Sequence, residues 1–280
     1  MYEESMASRL GGDVTISAGP IPQSRLQRAA DLRIAFELRA VSEWLSLRLS
    51  GVYYGVGVPH GDGGAVVLVP GFLTSDRYMA VMRRWLKRVG YRPYESGIGR
   101  NIRCPDLLVE RLLLTIDQAH LETGRKVRLL GHSLGGALAR AAAARAPDKV
   151  EQVVTLGSPQ AYAEMHPVVF AITRLVGEGE RRRPTRPPEC YTDGCTCEFA
   201  RAAGEQLPQS IRGASLFTKS DGVVDWRCCL DRTGHPNIEV PGSHLGLVFN
   251  RHVYQEVARL FAATVDDVWH DRGVAEPAEK

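Results

Sequence analysis

No uncharged apolar run in this 280-residue sequence approaches the ~20 residues a helix needs to cross a bilayer, so no membrane span is expected. Net charge is only +3, too little concentrated positive charge for nucleic acid to be the main partner. The opening stretch, MYEESMASRLGGDV, lacks the basic-then-apolar pattern of a secretory signal, and the expectation is a soluble, cytoplasmic chain. Cysteine is sparse and unevenly placed: Cys190, Cys195 and Cys197 share one loop, and Cys228 and Cys229 form a pair in another. Neither C-x-C nor C-C is the C-x₂-C spacing of common zinc sites, so no metal is expected. In a reducing compartment unpaired thiols are the default, with a disulfide between the two clusters as the alternative. There is no long polar tract, and 44% apolar with 24% charged residues describes one sizeable globular domain with room for an insertion.

What is present is a regular alternation. Residues 65–69 (AVVLV) form a short uninterrupted apolar run, the pattern of a parallel strand buried on both faces. Further strand patterns follow at 91–94, 127–130, 150–156, 214–218 and 238–240. Helical spacing of apolar residues covers a stretch from a Ser75 cap to about Gly90, then 107–121, 134–146 and 251–263. Strands alternating with helices mean βαβ crossovers, hence an α/β fold: a doubly wound, mostly parallel sheet covered on both faces. The alternation breaks at Gln160. Residues 160–210, helical in tendency at 165–176 and basic and proline-rich at 180–188, read as a helical or irregular cap over the sheet's C-terminal edge. Its apolar residues either line a substrate pocket or pack on the core. Before the domain, Leu26, Ala30, Ile34, Leu38, Val41 and Leu45 recur three or four apart with arginines between them. That amphipathic helix docks on the domain or, with Trp44, is compatible with a lipid surface or a partner. The organisation is therefore an N-terminal segment 1–63, a main domain 64–270 containing the cap, and a polar tail 271–280.

The chain is organised around residues 127–140, VRLLGHSLGGALAR. An apolar strand meets Gly131-His132-Ser133-Leu134-Gly135 and passes straight into an alanine-rich helix, the strand–turn–helix context that makes G-x-S-x-G a nucleophile elbow. The serine sits at strained angles there, and Gly131 and Gly135 leave it room. The following helix aims its N-terminal N–H groups at the reaction centre. Ser133 is the candidate nucleophile.

A serine hydroxyl needs a base, and the base needs an acid to hold its tautomer. In a doubly wound sheet both should lie on loops at the strands' C-terminal ends. Asp221 and His244 each follow a predicted strand, in the chain order Ser…Asp…His expected of such a fold. Asp225 is the runner-up acid, and Asp221-Gly222 also reads as an ordinary turn pair. His132 is expected to point away from the serine's pocket, and His235 precedes the last strand, at the wrong edge. Two N–H donors should face the oxyanion: Leu134, directly after the nucleophile, and Phe72 in the loop after the first strand, with Leu73 in reserve.

The pieces AVVLVPGF, RLLGHSLGGALAR, VVTLGSP, FTKSDGVVDW and VPGSHLGLVFN resemble the consecutive motif blocks of α/β-hydrolase-fold esterases and lipases, especially bacterial lipase-like proteins with G-x-S-x-G-G elbows. The resemblance spans residues 64–263. It implies a Ser133/Asp221/His244 triad, with Phe72 and Leu134 as oxyanion donors. Many of those lipases carry His-Gly before the oxyanion residue where this chain has Pro70-Gly71, which leaves its acyl preference open. The expectation is a cofactor-free serine hydrolase acting on small-molecule carboxylic esters with a hydrophobic moiety. An acyltransferase or thioesterase using the same residues is the second reading, and a non-catalytic protein binding an apolar ligand is the third.

Overall fold

The computed structural model describes residues 39–160, 176–179, 197–202 and 205–263. Among these, six strands form one sheet: β1 (Ala65–Val69), β2 (Arg92–Glu95), β3 (Val127–His132), β4 (Val150–Leu156), β5 (Arg212–Phe217) and β6 (Asn237–Glu239). Their order is β2-β1-β3-β4-β5-β6, and every neighbouring pair is parallel. The order reverses between β1 and β3, and in an open parallel sheet such a reversal leaves a crevice at the strands' C-terminal ends.

Alternation along β1 explains the two layers that flank the sheet. Val66 and Leu68 face one cluster, with Trp85, Tyr254 and Leu47. Ala65, Val67 and Val69 face the other, with Leu108, Leu112 and Ile116. The first layer holds α1 (Arg39–Leu49), α2 (Ala80–Arg88) and α6 (Arg251–Ala262); the second holds α3 (Pro105–Thr123) and α4 (Leu134–Arg145). Proline at the start of α3 and Gly124, left-handed at its end (φ 65°), set that helix's limits. The alanines of α4 are small enough for the helix to lie close on the sheet, and Ala137 through Ala143 are all buried. At the opposite end from the crevice, Arg128 of β3 bonds both Asp62 and Glu151, and Arg125 bonds Asp62 as well. Partial burial works against ionisation of Asp62, but the Arg128, Gly64 and Arg125 hydrogen bonds hold its carboxyl well below the usual range.

Within the described residues, the strands and helices expected from the sequence are present with small shifts of their ends. The largest concerns α2, which starts at Ala80 rather than just after Ser75. The Asp76 carboxylate accepts from the Ser96 N–H and hydroxyl, tying the exit of β2, and residues 75–79 close turns instead of a helical start. Of the cap, residues 161–175, 180–196 and 203–204 lie outside the described residues, and so do Cys190 and Cys195 with any bridge they make. The end of the cap returns to the flank of the sheet as α5 (Glu198–Ala202), with Phe199 buried against α3 and its N–H on the Asp106 carboxylate (3.0 Å). Cys229 is a buried free thiol that burial makes harder to ionise. Residues 1–38, which carry most of the predicted amphipathic helix, and the tail after Ala263 also lie outside. Among the described residues no helix is long and apolar enough to cross a membrane.

Candidate active site

β3 ends in the elbow. Ser133 has φ 52° and ψ −129°, a backbone conformation that costs a non-glycine residue about 1–3 kcal/mol. The surroundings impose it: the Ser133 N–H donates to the Leu156 carbonyl (2.9 Å), and its own carbonyl accepts from Gly136 N–H (2.9 Å). The flanking glycines are required by space. A Cβ on Gly131 would stand 2.5 Å from the Gly135 carbonyl oxygen, and one on Gly135 would collide with the carbonyl oxygens of Val69 and Pro70. The turn is therefore sealed against the end of β1, with Ser133 itself partly exposed at the crevice.

The loop after β1 lies against the elbow. A Cβ on Gly71 would stand 3.1 Å from the Ser133 Cβ, so glycine there lets the main chain of the loop approach Ser133. Leu73 occupies the left-handed region (φ 64°), and its N–H donates to the Asn101 carbonyl (2.9 Å). That bond engages the N–H of Leu73, the reserve oxyanion donor. Leu134, as the first residue of α4, has no intrahelical acceptor for its N–H. Asn101, fully buried, holds the same loop at two further points: its Nδ2 donates to the Pro70 carbonyl (2.9 Å), and its N–H to the Thr74 carbonyl (2.9 Å). Asn101 lies in GIGRNIRCPD, residues 97–106, between a strand pattern and a helix pattern, and nothing in that stretch marks which polar residue turns inward.

Asp221 and His244 come together from the loops after β5 and β6. The His244 Nδ1–H donates to Asp221 Oδ2 at 2.6 Å, and both side chains are almost wholly buried. The other carboxylate oxygen accepts from the N–H groups of Val223 (2.8 Å) and Val224 (2.7 Å). Asp221 is thus both a turn former and the histidine's partner. Asp225 is not: it caps the 3₁₀ turn Trp226–Cys229 through the Arg227 N–H, away from the imidazole. Gly157, after β4, has φ 55°, and a Cβ there would stand 3.2 Å from His244 Nδ1 and 3.3 Å from Asp221 Oδ2. The loops after β1, β3, β4, β5 and β6 therefore meet at one edge of the sheet.

His132 is buried against the loop that carries His244. Its ring centroid is 4.9 Å from that of His244, and its Nε2–H donates to the His244 carbonyl (2.9 Å). Complete burial, reinforced by the neighbouring His244, pushes His132 down to about 3, so it stays neutral at physiological pH. A histidine depressed in the folded state binds a proton in the unfolded chain first. Its contribution is thus complete above the unfolded value near 6.5 and is lost as pH falls toward 3. Urea unfolding should show about 2 kcal/mol less stability at pH 5 than at 6.5 from this residue. His132→Gln is expected to be less stable at neutral pH but to fall less steeply on acidification; parallel slopes would contradict the assignment.

An all-parallel sheet with a strained serine after its third strand and an Asp–His pair on its last loops defines the α/β-hydrolase fold. A family model described as the alpha/beta hydrolase fold matches residues 65–192. Curated relatives include triacylglycerol lipases of Pseudarthrobacter phenanthrenivorans and Burkholderia plantarii, each 33% identical over 108 residues. Those matches cover 35% of this chain and 34% and 30% of the two relatives, so the chain spans about a third of the length of the curated relatives it matches. Among solved structures, a soluble variant of monoglyceride lipase from Saccharomyces cerevisiae in complex with a substrate analog superposes with a TM-score of 0.52 at 14% identity. That superposition covers 73% of this chain and 89% of the other, and it is a likeness of fold. The protein has the α/β-hydrolase fold, and over about a third of its length its sequence is similar to triacylglycerol lipases.

Proposed function

We propose that the protein is a serine hydrolase of carboxylic esters with a hydrophobic acyl or alcohol part. Ser133 Oγ attacks the ester carbonyl carbon while His244 Nε2 takes its proton. The negative charge forming on the carbonyl oxygen is met by the N–H groups of Phe72 and Leu134, each worth about 3 kcal/mol of barrier in such sites. The C–O bond to the alcohol breaks as His244 returns the proton to the leaving oxygen, and an acyl group stays on Ser133. Water, deprotonated by the same imidazole, then attacks the acyl carbon; the bond to Ser133 Oγ breaks as His244 gives that proton to Oγ, and the acid leaves. Asp221 keeps His244 Nδ1 protonated so that Nε2 is free to accept.

The observation that carries this reading is the buried 2.6 Å Asp221–His244 bond, at the same sheet edge as a serine held at φ 52°. Leu73, in the loop after β1, is an apolar side chain 46% exposed, which suits a hydrophobic substrate. The names of the curated relatives, both triacylglycerol lipases, agree with an apolar ester. Incubation with a fluorophosphonate probe is expected to leave one covalent adduct, on the peptide containing Ser133. No adduct on the folded protein, or an adduct on another serine, would overturn the proposal.

A further inference from the structure

We propose that Glu43, on the N-terminal helix α1, is a positioning residue for His244, so that a helix outside the sheet is part of the catalytic apparatus; this rests on the hydrolase reading above. The Glu43 Oε1 accepts a hydrogen bond from the Ser243 N–H at 2.8 Å, across 200 residues of sequence. Ser243 is fully buried and directly precedes His244. On the other side of the same loop, His132 holds the His244 carbonyl. The backbone on either side of the histidine's Cα is thus gripped twice, while Asp221 holds the ring.

The loop is shaped around this carboxylate. In Pro241-Gly242-Ser243-His244-Leu245-Gly246, a glycine stands on each side of the histidine. A Cβ on Gly246 would fall on Glu43 Oε2, and one on Gly242 would stand 3.3 Å from it. The space a side chain at Gly246 would need is filled by a side chain delivered from α1, while at Gly242 Asn250 Nδ2 stands nearest (2.6 Å) with Glu43 beside it. Delivery depends on one face of that helix: Leu47, four residues on and fully buried, anchors the same side in the core. Val41, Leu45 and Leu49 point to solvent, at 67%, 51% and 79% exposure.

A catalytic base must sit within about 0.5 Å of its productive place, and a 1 Å error costs on the order of 100-fold. Glu43→Ala frees one end of the loop, and kcat for ester hydrolysis is expected to fall about 10–100-fold with KM changed less than about twofold. Glu43→Asp, which retracts the carboxylate by one methylene, should show the same loss at a melting temperature close to wild type. Glu43→Gln, which keeps an acceptor oxygen at full reach, should recover most of the rate. Leu45→Ala, on the solvent side of α1, should turn over as wild type does.

Wild-type turnover in folded Glu43→Ala or Glu43→Asp, equal rates for the Asp and Gln variants, or a comparable loss in Leu45→Ala would each overturn the proposal. Should the wild type neither hydrolyse esters nor take the fluorophosphonate, the hydrolase reading fails. Amide hydrogen exchange at Ser243 then still reads the contact. It must be faster in Glu43→Asp than in wild type, and unchanged exchange refutes the Glu43 contact itself.

Discussion

Ser133→Ala is expected to abolish turnover of short-chain p-nitrophenyl esters, with kcat falling on the order of 10⁵–10⁶-fold. Losses of that size follow when the nucleophile of a serine hydrolase is removed, and the small remainder comes from oxyanion stabilisation and binding alone. The variant is a clean test because alanine at φ 52° carries about the same backbone strain as serine. The bonds that hold the elbow, from Ser133 N–H to Leu156 and from Gly136 N–H to the Ser133 carbonyl, involve only main-chain atoms. Unfolding should therefore occur at the wild-type temperature while activity disappears. An ester panel of increasing acyl length, run on both proteins, measures the loss and the chain-length preference together. A Ser133→Ala protein that hydrolyses any member at the wild-type rate would remove the serine from the mechanism.

The second large effect belongs to Asp221→Asn, expected to lower kcat by about 10⁴-fold at neutral pH. The cause is the tautomer of His244. Asp221 Oδ1 accepts from two main-chain N–H groups and Oδ2 accepts from His244 Nδ1–H. In the asparagine variant the amide oxygen keeps the turn, since only an acceptor suits Val223 and Val224. The NH₂ group then faces Nδ1, and two donors cannot bond to each other. The imidazole answers by carrying its proton on Nε2, where it can no longer accept one from Ser133. Asp225→Asn is the matched control. Its carboxylate caps an exposed turn, so the rate should stay within about twofold of wild type. Comparable losses in the two variants would mean that the acid has been assigned to the wrong aspartate.

The legible part of this protein was local. Val127 to Leu130 announced a buried strand, Gly131 and Gly135 the crowding of a turn, and the alanine run a helix lying close to the sheet. Each signal is a steric or hydrogen-bonding preference between residues a few positions apart. The chain order of Ser133, Asp221 and His244 could be read for a related reason: each follows a strand pattern, and parallel strands bring their C-terminal ends to one edge. The helix expected from a Ser75 cap starts at Ala80 instead, because Asp76, next to that cap, is engaged by Ser96 twenty residues on.

By itself, then, the sequence determined the alternation of strands and helices, the elbow, and which loops meet at the edge of the sheet. Backbone periodicity and turn sterics are properties of neighbours, and they do not wait for packing. Only the tertiary structure decided that the Leu73 N–H is spent on the Asn101 carbonyl, that the His132 ring packs against that of His244 and bonds its carbonyl, and that Asn101 and Glu43 reach the loops after β1 and β6. Those outcomes depend on which buried donor finds which acceptor. When Glu43 meets the Ser243 N–H across 200 residues, no spacing in the chain encodes the meeting. Packing chooses the pair, because a polar group enclosed without a partner costs about 1–3 kcal/mol, more than most local preferences return.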